Sequence, residues 1–207
     1  MKVLVNGPDP EEANLIVILL HGRGATGDDI MGLSVEFEDE DICWLAPTAM
    51  NDSWYPNNFL GRRSTNEPYL TVSTEQVKGL IDQFPSHKVI LAGFSQGACL
   101  VSDILARHPR PLAGAWLFSG GLVGEEDELL KADSGLEGLP VSISGSTQDP
   151  HIPLFRMKET AAILEKMGAR VETLFYELNS HQIASEEVQL AHKVLKTVRG
   201  RLAAQGS

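Results

Sequence analysis

The stretch VILAGFSQG, residues 89–97, places a serine between two glycines at the end of an apolar run. Its first four residues are aliphatic, which favours a buried strand. Residues 96–107 carry apolar side chains at helical spacing and stop before Pro109, which indicates a helix. A serine in so tight a strand-to-helix turn is held in a strained conformation that projects its hydroxyl, and the glycines let the strand and the helix pack closely. We therefore predict that Ser95 is an exposed nucleophile. The alternative is a glycine-rich turn with an ordinary surface serine.

Strands and helices alternate along the rest of the chain. The predicted strands cover residues 3–6, 15–20, 42–46, 88–92, 112–118, 141–144 and 171–177. The predicted helices cover residues 71–84, 96–107, 153–167 and 185–202. Several strands are unbroken apolar runs, which is typical of a sheet covered on both faces. The alternation predicts one α/β domain over residues 1–207, with a mostly parallel central sheet of about six to seven strands, flanking helices and no separate cap domain.

The composition describes an acidic chain with enough apolar residues for a core. The 207 residues are 43% hydrophobic and carry a formal charge of -11. The negative charge argues against binding to nucleic acid or to anionic membrane surfaces, and the longest aliphatic run, residues 15–20, is far too short to span a bilayer. Cys43 and Cys99 lie within apolar elements and are predicted to be buried free thiols in a reducing compartment. No signal-peptide pattern follows Met1, so we expect a cytoplasmic protein without stable membrane association.

A serine hydroxyl needs a base to take its proton and a carboxylate to orient that base. With a nucleophile on this type of turn, the chain order is serine, then acid, then histidine. Asp149 follows the predicted strand 141–144 through a short turn, which puts it at the carboxyl edge of the sheet, where sites form. Asp103, within helix 96–107, is expected to be a solvated charge. The alternative for Asp149 is an ordinary turn aspartate before a proline.

His181 is the predicted base among six histidines. It follows strand 171–177 by a short turn and precedes the last helix, a position from which its ring can reach between Ser95 and Asp149. His151 lies only two residues from Asp149 and cannot easily bond that carboxylate while reaching the serine. The alternative for His181 is a loop histidine with no special role.

An oxyanion hole requires two backbone N–H groups aimed at the developing charge. The amide of Gln96, at the start of a helix, is one candidate. The sequence HGRGATG, residues 21–27, follows the predicted strand 15–20 and supplies the other, because glycines on both sides of Arg23 let its amide turn outward. Whether the Arg23 side chain is solvated or anchors the loop is left open.

Taken together, HGRGATGDD at 21–29, GFSQGA at 93–98, DPHIP at 149–153 and His181 resemble the phospholipase/carboxylesterase family of α/β-hydrolases, which includes small carboxylesterases and acyl-protein thioesterases. The resemblance implies a triad of Ser95, Asp149 and His181 and an oxyanion hole built from the amides of Arg23 and Gln96. Thioesterase members carry leucine where this chain has Arg23, and a charged side chain there argues against long-chain lipid substrates.

We expect a serine hydrolase that cleaves small-molecule carboxylic esters of short to medium acyl chain and needs no metal or organic cofactor. The absence of a cap predicts an open site whose walls are formed by aromatic and aliphatic residues of the loops. These residues are Trp54, Tyr55, Phe59, Leu122 and Ile152. The acidic loop, residues 120–138, is expected to be a solvated surface excursion. The alternatives are an acyl thioesterase or lysophospholipase and a catalytically silent ligand-binding protein. A homodimer is left open.

Overall fold

The computed structural model describes residues 1–37, 40–129 and 134–205. Within them, seven strands form one sheet. The strands are β1 (Lys2–Asn6), β2 (Leu15–Leu20), β3 (Ile42–Thr48), β4 (Val89–Phe94), β5 (Gly114–Phe118), β6 (Pro140–Ser146) and β7 (Arg170–Tyr176). Their spatial order is β1-β3-β2-β4-β5-β6-β7, and every neighbouring pair is parallel except β1 and β3. The mostly parallel sheet that the sequence predicts is therefore confirmed, and the antiparallel first strand is an addition to it.

The described residues form five α-helices around this sheet. They are α1 (Gly27–Met31), α2 (Tyr69–Ile81), α3 (Gln96–Arg107), α4 (Leu154–Lys166) and α5 (Ser185–Gln205). The sequence predicts the last four. It does not predict α1, because five residues are too few to show a helical period. A capping box stabilises α1 instead, in which the Thr26 side chain accepts from the Asp29 amide and the Asp29 carboxylate accepts from the Thr26 amide.

The sheet separates two apolar cores. Along β2, Ile16, Ile18 and Leu20 pack with α2, α3 and α4, whereas the residues between them pack with α1 and α5. Both faces of the central strands are thus covered, as their unbroken apolar sequences predict. The parallel strands all end at the same edge, which is where Ser95 emerges after β4.

Two features expected at the surface are buried. The Asp103 side chain is 1% exposed and accepts hydrogen bonds from Arg63 Nη1 at 2.5 Å and Arg107 Nε at 3.1 Å. The expectation of a solvated charge was wrong because Arg63 lies far away in sequence and only the fold brings it onto α3. The first part of the acidic loop is also buried, since the Arg156 guanidinium donates to the carbonyls of Leu122 and Gly124. Residues 130–133 of that loop lie outside the described residues.

Cys43 and Cys99 are buried free thiols, as predicted. Across the described ranges, no helix combines the length and the apolar character needed to cross a membrane.

Candidate active site

Ser95 occupies a strained turn between β4 and α3. Its φ and ψ angles are 55° and -118°, a region that residues with a side chain rarely adopt. A Cβ atom on Gly93 would lie 2.5 Å from the Gly97 carbonyl carbon, and a Cβ on Gly97 would lie 2.2 Å from the Leu20 carbonyl oxygen. Both glycines are therefore required by close backbone approach. The sharp turn predicted from GFSQG is present.

The fold brings Ser95, His181 and Asp149 together in a chain of two hydrogen bonds. His181 Nε2 lies 2.8 Å from Ser95 Oγ, and His181 Nδ1 lies 2.7 Å from Asp149 Oδ2. Because an ionised carboxylate can only accept, the proton is assigned to Nδ1. Nε2 is then the acceptor that faces the serine hydroxyl, which is the tautomer a general base requires.

Asp149 is held in its ionised form by hydrogen bonds. Its side chain is fully buried, and its Oδ1 accepts from the backbone amides of His151 at 2.8 Å and Ile152 at 3.0 Å. Burial raises the pKa of this carboxyl, but the bonds from His181 and the two amides outweigh burial, so the pKa lies below its ordinary value. A carboxylate is thus present behind the imidazole at neutral pH.

The loop that carries His181 is tied to the sheet and to α5 by a buried carboxylate. Glu187 Oε2 accepts from the Ala184 amide at 2.9 Å and from the Tyr176 hydroxyl at 2.8 Å. The His181 ring also packs against the Phe94 ring, with 4.8 Å between the ring centroids. This role of Glu187 was not predicted from the sequence, because a glutamate in the first turn of a helix ordinarily faces solvent.

The loop after β2 lies beside Ser95, because a Cβ atom on Gly22 would lie 3.4 Å from Ser95 Cβ. Gly24 N donates to Asp52 O at 2.7 Å, and Ala25 N donates to Gly22 O at 3.2 Å. No acceptor for the amide of Arg23 or of Gln96 is found in the part of the chain that the structure describes. That these two amides form an oxyanion hole stays a prediction.

The buried His21 ring contacts this loop through its hydrogen bonds. Its role was not predicted from the sequence. Its Nε2 accepts from the Ala49 amide at 3.0 Å, so the proton is on Nδ1, which lies 2.7 Å from Gly22 O. Burial lowers the pKa of this imidazole, which favours the neutral ring that the two bonds need. The HisGly pair at 21–22 was the available signal for it.

The side chains of Arg23 and Gln96 anchor the neighbouring loop 53–57. Arg23 donates from Nη1 to Pro56 O at 2.6 Å and from Nη2 to Asn57 O at 2.7 Å. Gln96 accepts from the Trp54 amide at 3.0 Å and donates to Tyr55 O at 2.7 Å. The Arg23 side chain thus ties loop 21–27 to loop 53–57 and is also solvent-exposed, so both options that the sequence left open apply.

A cavity of about 680 Å³ opens over Ser95 and is called here the serine cavity. Its lining includes Arg23, Gln96 and three of the predicted wall residues. Those three are Tyr55, Phe59 and Ile152. The sequence analysis missed Asn57, Asn58, Cys99 and His151, which also line it.

Two predicted wall residues, Trp54 and Leu122, do not line the serine cavity. Trp54 is fully buried, and its indole N–H donates to His21 O at 2.9 Å. Leu122 belongs to the core beneath α4, where its amide donates to the Thr160 hydroxyl. Both are apolar loop residues, and residue type alone does not tell a pocket wall from the core behind it.

A second cavity, of about 530 Å³, lies on the α1 and α5 side of the same imidazole and is called the histidine cavity. His181 lines both cavities. The histidine cavity is also lined by Gly22, Phe94, Ile30, Leu33 and Val188, which do not line the serine cavity. No sequence signal pointed to it, because its walls come from three separate stretches of chain, 22–36, 94 and 181–188.

The sheet, the strained turn after β4 and the order serine, aspartate, histidine define an α/β-hydrolase. The chain belongs to the phospholipase/carboxylesterase family, whose sequence model matches residues 2–199. The protein is a carboxylic ester hydrolase, as its family and its hydrolase relatives indicate.

Similar proteins are found among both solved structures and curated sequences. The crystal structure of a phospholipase/carboxylesterase from Dyadobacter fermentans DSM 18053 is 34% identical, with a TM-score of 0.88, and the match covers 94% of this chain and 96% of that one. The hydrolase MhqD of Bacillus subtilis (strain 168) is 27% identical over an alignment of 190 residues, and the match covers 87% of this chain and 92% of MhqD. Acyl-protein thioesterase 1 of Schizosaccharomyces pombe (strain 972 / ATCC 24843) is 25% identical over an alignment of 204 residues. The match covers 89% of this chain and 91% of the thioesterase.

Proposed function

We propose that the protein is a serine hydrolase that cleaves carboxylic esters of short to medium acyl chain through an acyl-enzyme. The observation that carries this proposal is the unbroken hydrogen-bond chain from Ser95 Oγ through His181 to the buried Asp149 carboxylate. A strained serine at the end of a central strand, with a correctly oriented imidazole, is the arrangement that activates a hydroxyl for acyl transfer.

In the proposed reaction, His181 Nε2 takes the proton as Ser95 Oγ attacks the ester carbonyl. The amides of Arg23 and Gln96 bind the negative oxygen of the tetrahedral intermediate. Asp149 keeps Nδ1 protonated and stabilises the imidazolium. His181 then gives its proton to the leaving alcohol, and the same ring activates water to release the acid.

The serine cavity supports a preference for short and medium acyl groups. The Arg23 guanidinium lies over the Tyr55 ring at 5.7 Å and contributes a charge to the wall, and Asn57 and Asn58 contribute amides. A long aliphatic chain would bury methylene groups against these polar groups and leave them without water, which costs free energy. We expect catalytic efficiency to fall between butyrate and palmitate esters of one alcohol.

Replacing Ser95 tests the proposal. Ser95→Ala should lower kcat for p-nitrophenyl butyrate by a factor on the order of a million, because triad members act as a unit. The matched control is Ser64→Ala, which removes an exposed hydroxyl from a nearby surface turn and should leave kcat unchanged. Circular dichroism melting should show both variants folded. Wild-type turnover by folded Ser95→Ala would overturn the assignment.

Thioester hydrolysis is the second candidate, and the similarity to the S. pombe acyl-protein thioesterase favours it. Comparing p-nitrophenyl acetate, butyrate and palmitate with butyryl and palmitoyl thioesters separates the two functions. Highest kcat/KM for the short oxygen esters supports the first proposal, and highest kcat/KM for the palmitoyl thioester supports the second. A hydrolase-like binding protein would turn over none of them.

A further inference from the structure

The histidine cavity shares the His181 imidazole with the serine cavity, yet it is lined by a different part of the fold. Ile30 and Leu33 come from α1 and the short turn after it, and Val188 comes from α5. These residues belong to the core on the α1 and α5 face of the sheet, whereas Tyr55, Phe59 and Ile152 belong to the core on the other face. The imidazole therefore stands between two cavities that can be altered independently.

The proposed chemistry needs space on both sides of that imidazole. Ser95 and both oxyanion residues line the serine cavity, so the ester carbonyl lies there. The leaving oxygen must lie next to His181 Nε2, which gives it a proton. The tetrahedral carbon bears the acyl chain and the leaving oxygen in different directions, and the alcohol group on that oxygen can follow the imidazole into the histidine cavity.

We infer that the serine cavity binds the acyl group and that the histidine cavity binds the alcohol half of the substrate, a bulky apolar alcohol without negative charge. This inference rests on the proposed function. A volume of about 530 Å³ is within the range of small-molecule sites and exceeds what a methyl or ethyl group needs. Ile30, Leu33, Phe94 and Val188 supply an apolar lining for an aromatic or branched group.

The charges of the lining exclude anionic alcohols. Asp29 and Glu36 line the histidine cavity, and its described lining residues include neither lysine nor arginine. Hydrogen bonds from the Thr26 side chain and amide lower the pKa of the Asp29 carboxyl, so that its charge persists at neutral pH. A leaving group that carries phosphate, such as that of a lysophospholipid, would be repelled, whereas a neutral or cationic one would not.

Two ratios of kcat/KM test the inference. The alcohol ratio is kcat/KM for benzyl acetate divided by that for methyl acetate. The acyl ratio is kcat/KM for methyl hexanoate divided by that for methyl acetate. Leu33→Trp, which fills the histidine cavity, should lower the alcohol ratio at least about tenfold, the discrimination that a small steric change in an apolar pocket gives, without changing the acyl ratio. Phe59→Ala, which alters the serine cavity, should change the acyl ratio and not the alcohol ratio.

Val35→Trp is the matched control for Leu33→Trp. It adds the same side chain two residues away in the same short turn, at a position that is 76% exposed and does not line the cavity. Both ratios should stay at their wild-type values in this variant. If Leu33→Trp does not fold, Val188→Phe fills the cavity from α5 and carries the same expectation.

An unchanged alcohol ratio in a folded cavity-filling variant overturns the inference. A fall in the acyl ratio instead of the alcohol ratio also overturns it.

A charge series gives an independent check, with acetylcholine, its neutral isostere 3,3-dimethylbutyl acetate and the anionic 3-sulfopropyl acetate. The anionic ester should be the poorest, and Glu36→Gln should improve it. An anionic ester as good as the neutral one overturns the charge assignment. Failure of the proposed function is distinct from all of these, since it appears as ester turnover that survives in Ser95→Ala.

Discussion

Ser95 combines an unfavourable backbone conformation with an accessible hydroxyl. Positive φ at a residue with a side chain costs on the order of 1–3 kcal/mol. The backbone hydrogen bond from Ser95 N to Phe118 O, at 2.9 Å, and the packing of α3 on β4 hold the turn in place. The strain therefore persists because the surrounding sheet and helix determine the conformation, and the result is a hydroxyl that points away from the backbone toward His181.

The Asp149 carboxylate can be tested without changing its shape. Asp149→Asn keeps an oxygen for the amides of His151 and Ile152 but places a neutral amide against His181 Nδ1. The other tautomer of the imidazole is then favoured, with its proton facing Ser95, so kcat should fall about 10⁴-fold. Steady-state kinetics with p-nitrophenyl butyrate measures the loss.

Asp82→Asn is a matched control for that change, because Asp82 is an exposed aspartate paired with Arg110 at 2.6 Å. It should leave kcat near the wild-type value. A loss of less than tenfold in Asp149→Asn would mean that the imidazole does not depend on this carboxylate.

At the scale of elements, the loop that carries His181 depends on the first turn of α5. Glu187 is fully buried there. Burial is the main cause that raises the pKa of this carboxyl above its ordinary 4.5, and the nearby Asp149 charge adds to it. The carboxylate therefore holds the loop through Ala184 and Tyr176 at the expense of an unfavourable charge.

Glu187→Gln should change the pH dependence of stability. The folded protein keeps a proton on Glu187 at pH values where the unfolded chain has lost it, so the stability contributed by this group falls as pH rises from about 4.5 through the folded pKa. Glutamine keeps an acceptor for Ala184 and Tyr176 but cannot ionise. The unfolding free energy of the variant should therefore not show the decrease that Glu187 causes in wild type as pH rises.

Urea unfolding of wild type and Glu187→Gln between pH 4.5 and 7 provides the measurement. The lowered pKa of Asp149 acts with the opposite sign, because that contribution is lost as pH falls, and it acts below its ordinary 3.8, outside this window. As pH rises, the unfolding free energy of wild type should fall relative to that of Glu187→Gln. A difference that does not vary with pH would show that Glu187 has an ordinary pKa.

The loops show where sequence-based prediction reaches its limit. Tyr55 and Phe59 line the serine cavity, but Trp54, beside Tyr55, is buried behind it. Neighbouring side chains of an irregular loop point in directions that no period describes, so the sequence identified the loop but not which residues face the site. The same holds for Asp103, whose partner Arg63 is 40 positions away.

Over the entire chain, the structural features that the sequence predicted depended on local signals. Apolar segments, several of them unbroken, predicted all seven strands, and the sharp turn with its glycines singled out Ser95. Asp149 and His181 followed from chain order and from the common edge of parallel strands. The antiparallel pairing of β1, the short helix α1 and the histidine cavity could not be predicted in this way, because each is created by contacts between distant segments.

The two cores of the molecule give the site its overall layout. Each cavity is continuous with the core on one face of the sheet, and the imidazole stands at the shared edge. We propose that Ser95, activated by His181 and Asp149 at this edge, is the nucleophile.

Labelling with a fluorophosphonate, read by intact mass and peptide mapping, tests that claim most directly. We predict one adduct per chain on Ser95, much slower labelling in His181→Ala and none in Ser95→Ala. Equal labelling of Ser95→Ala, or an adduct on another residue of the wild type, would contradict the account.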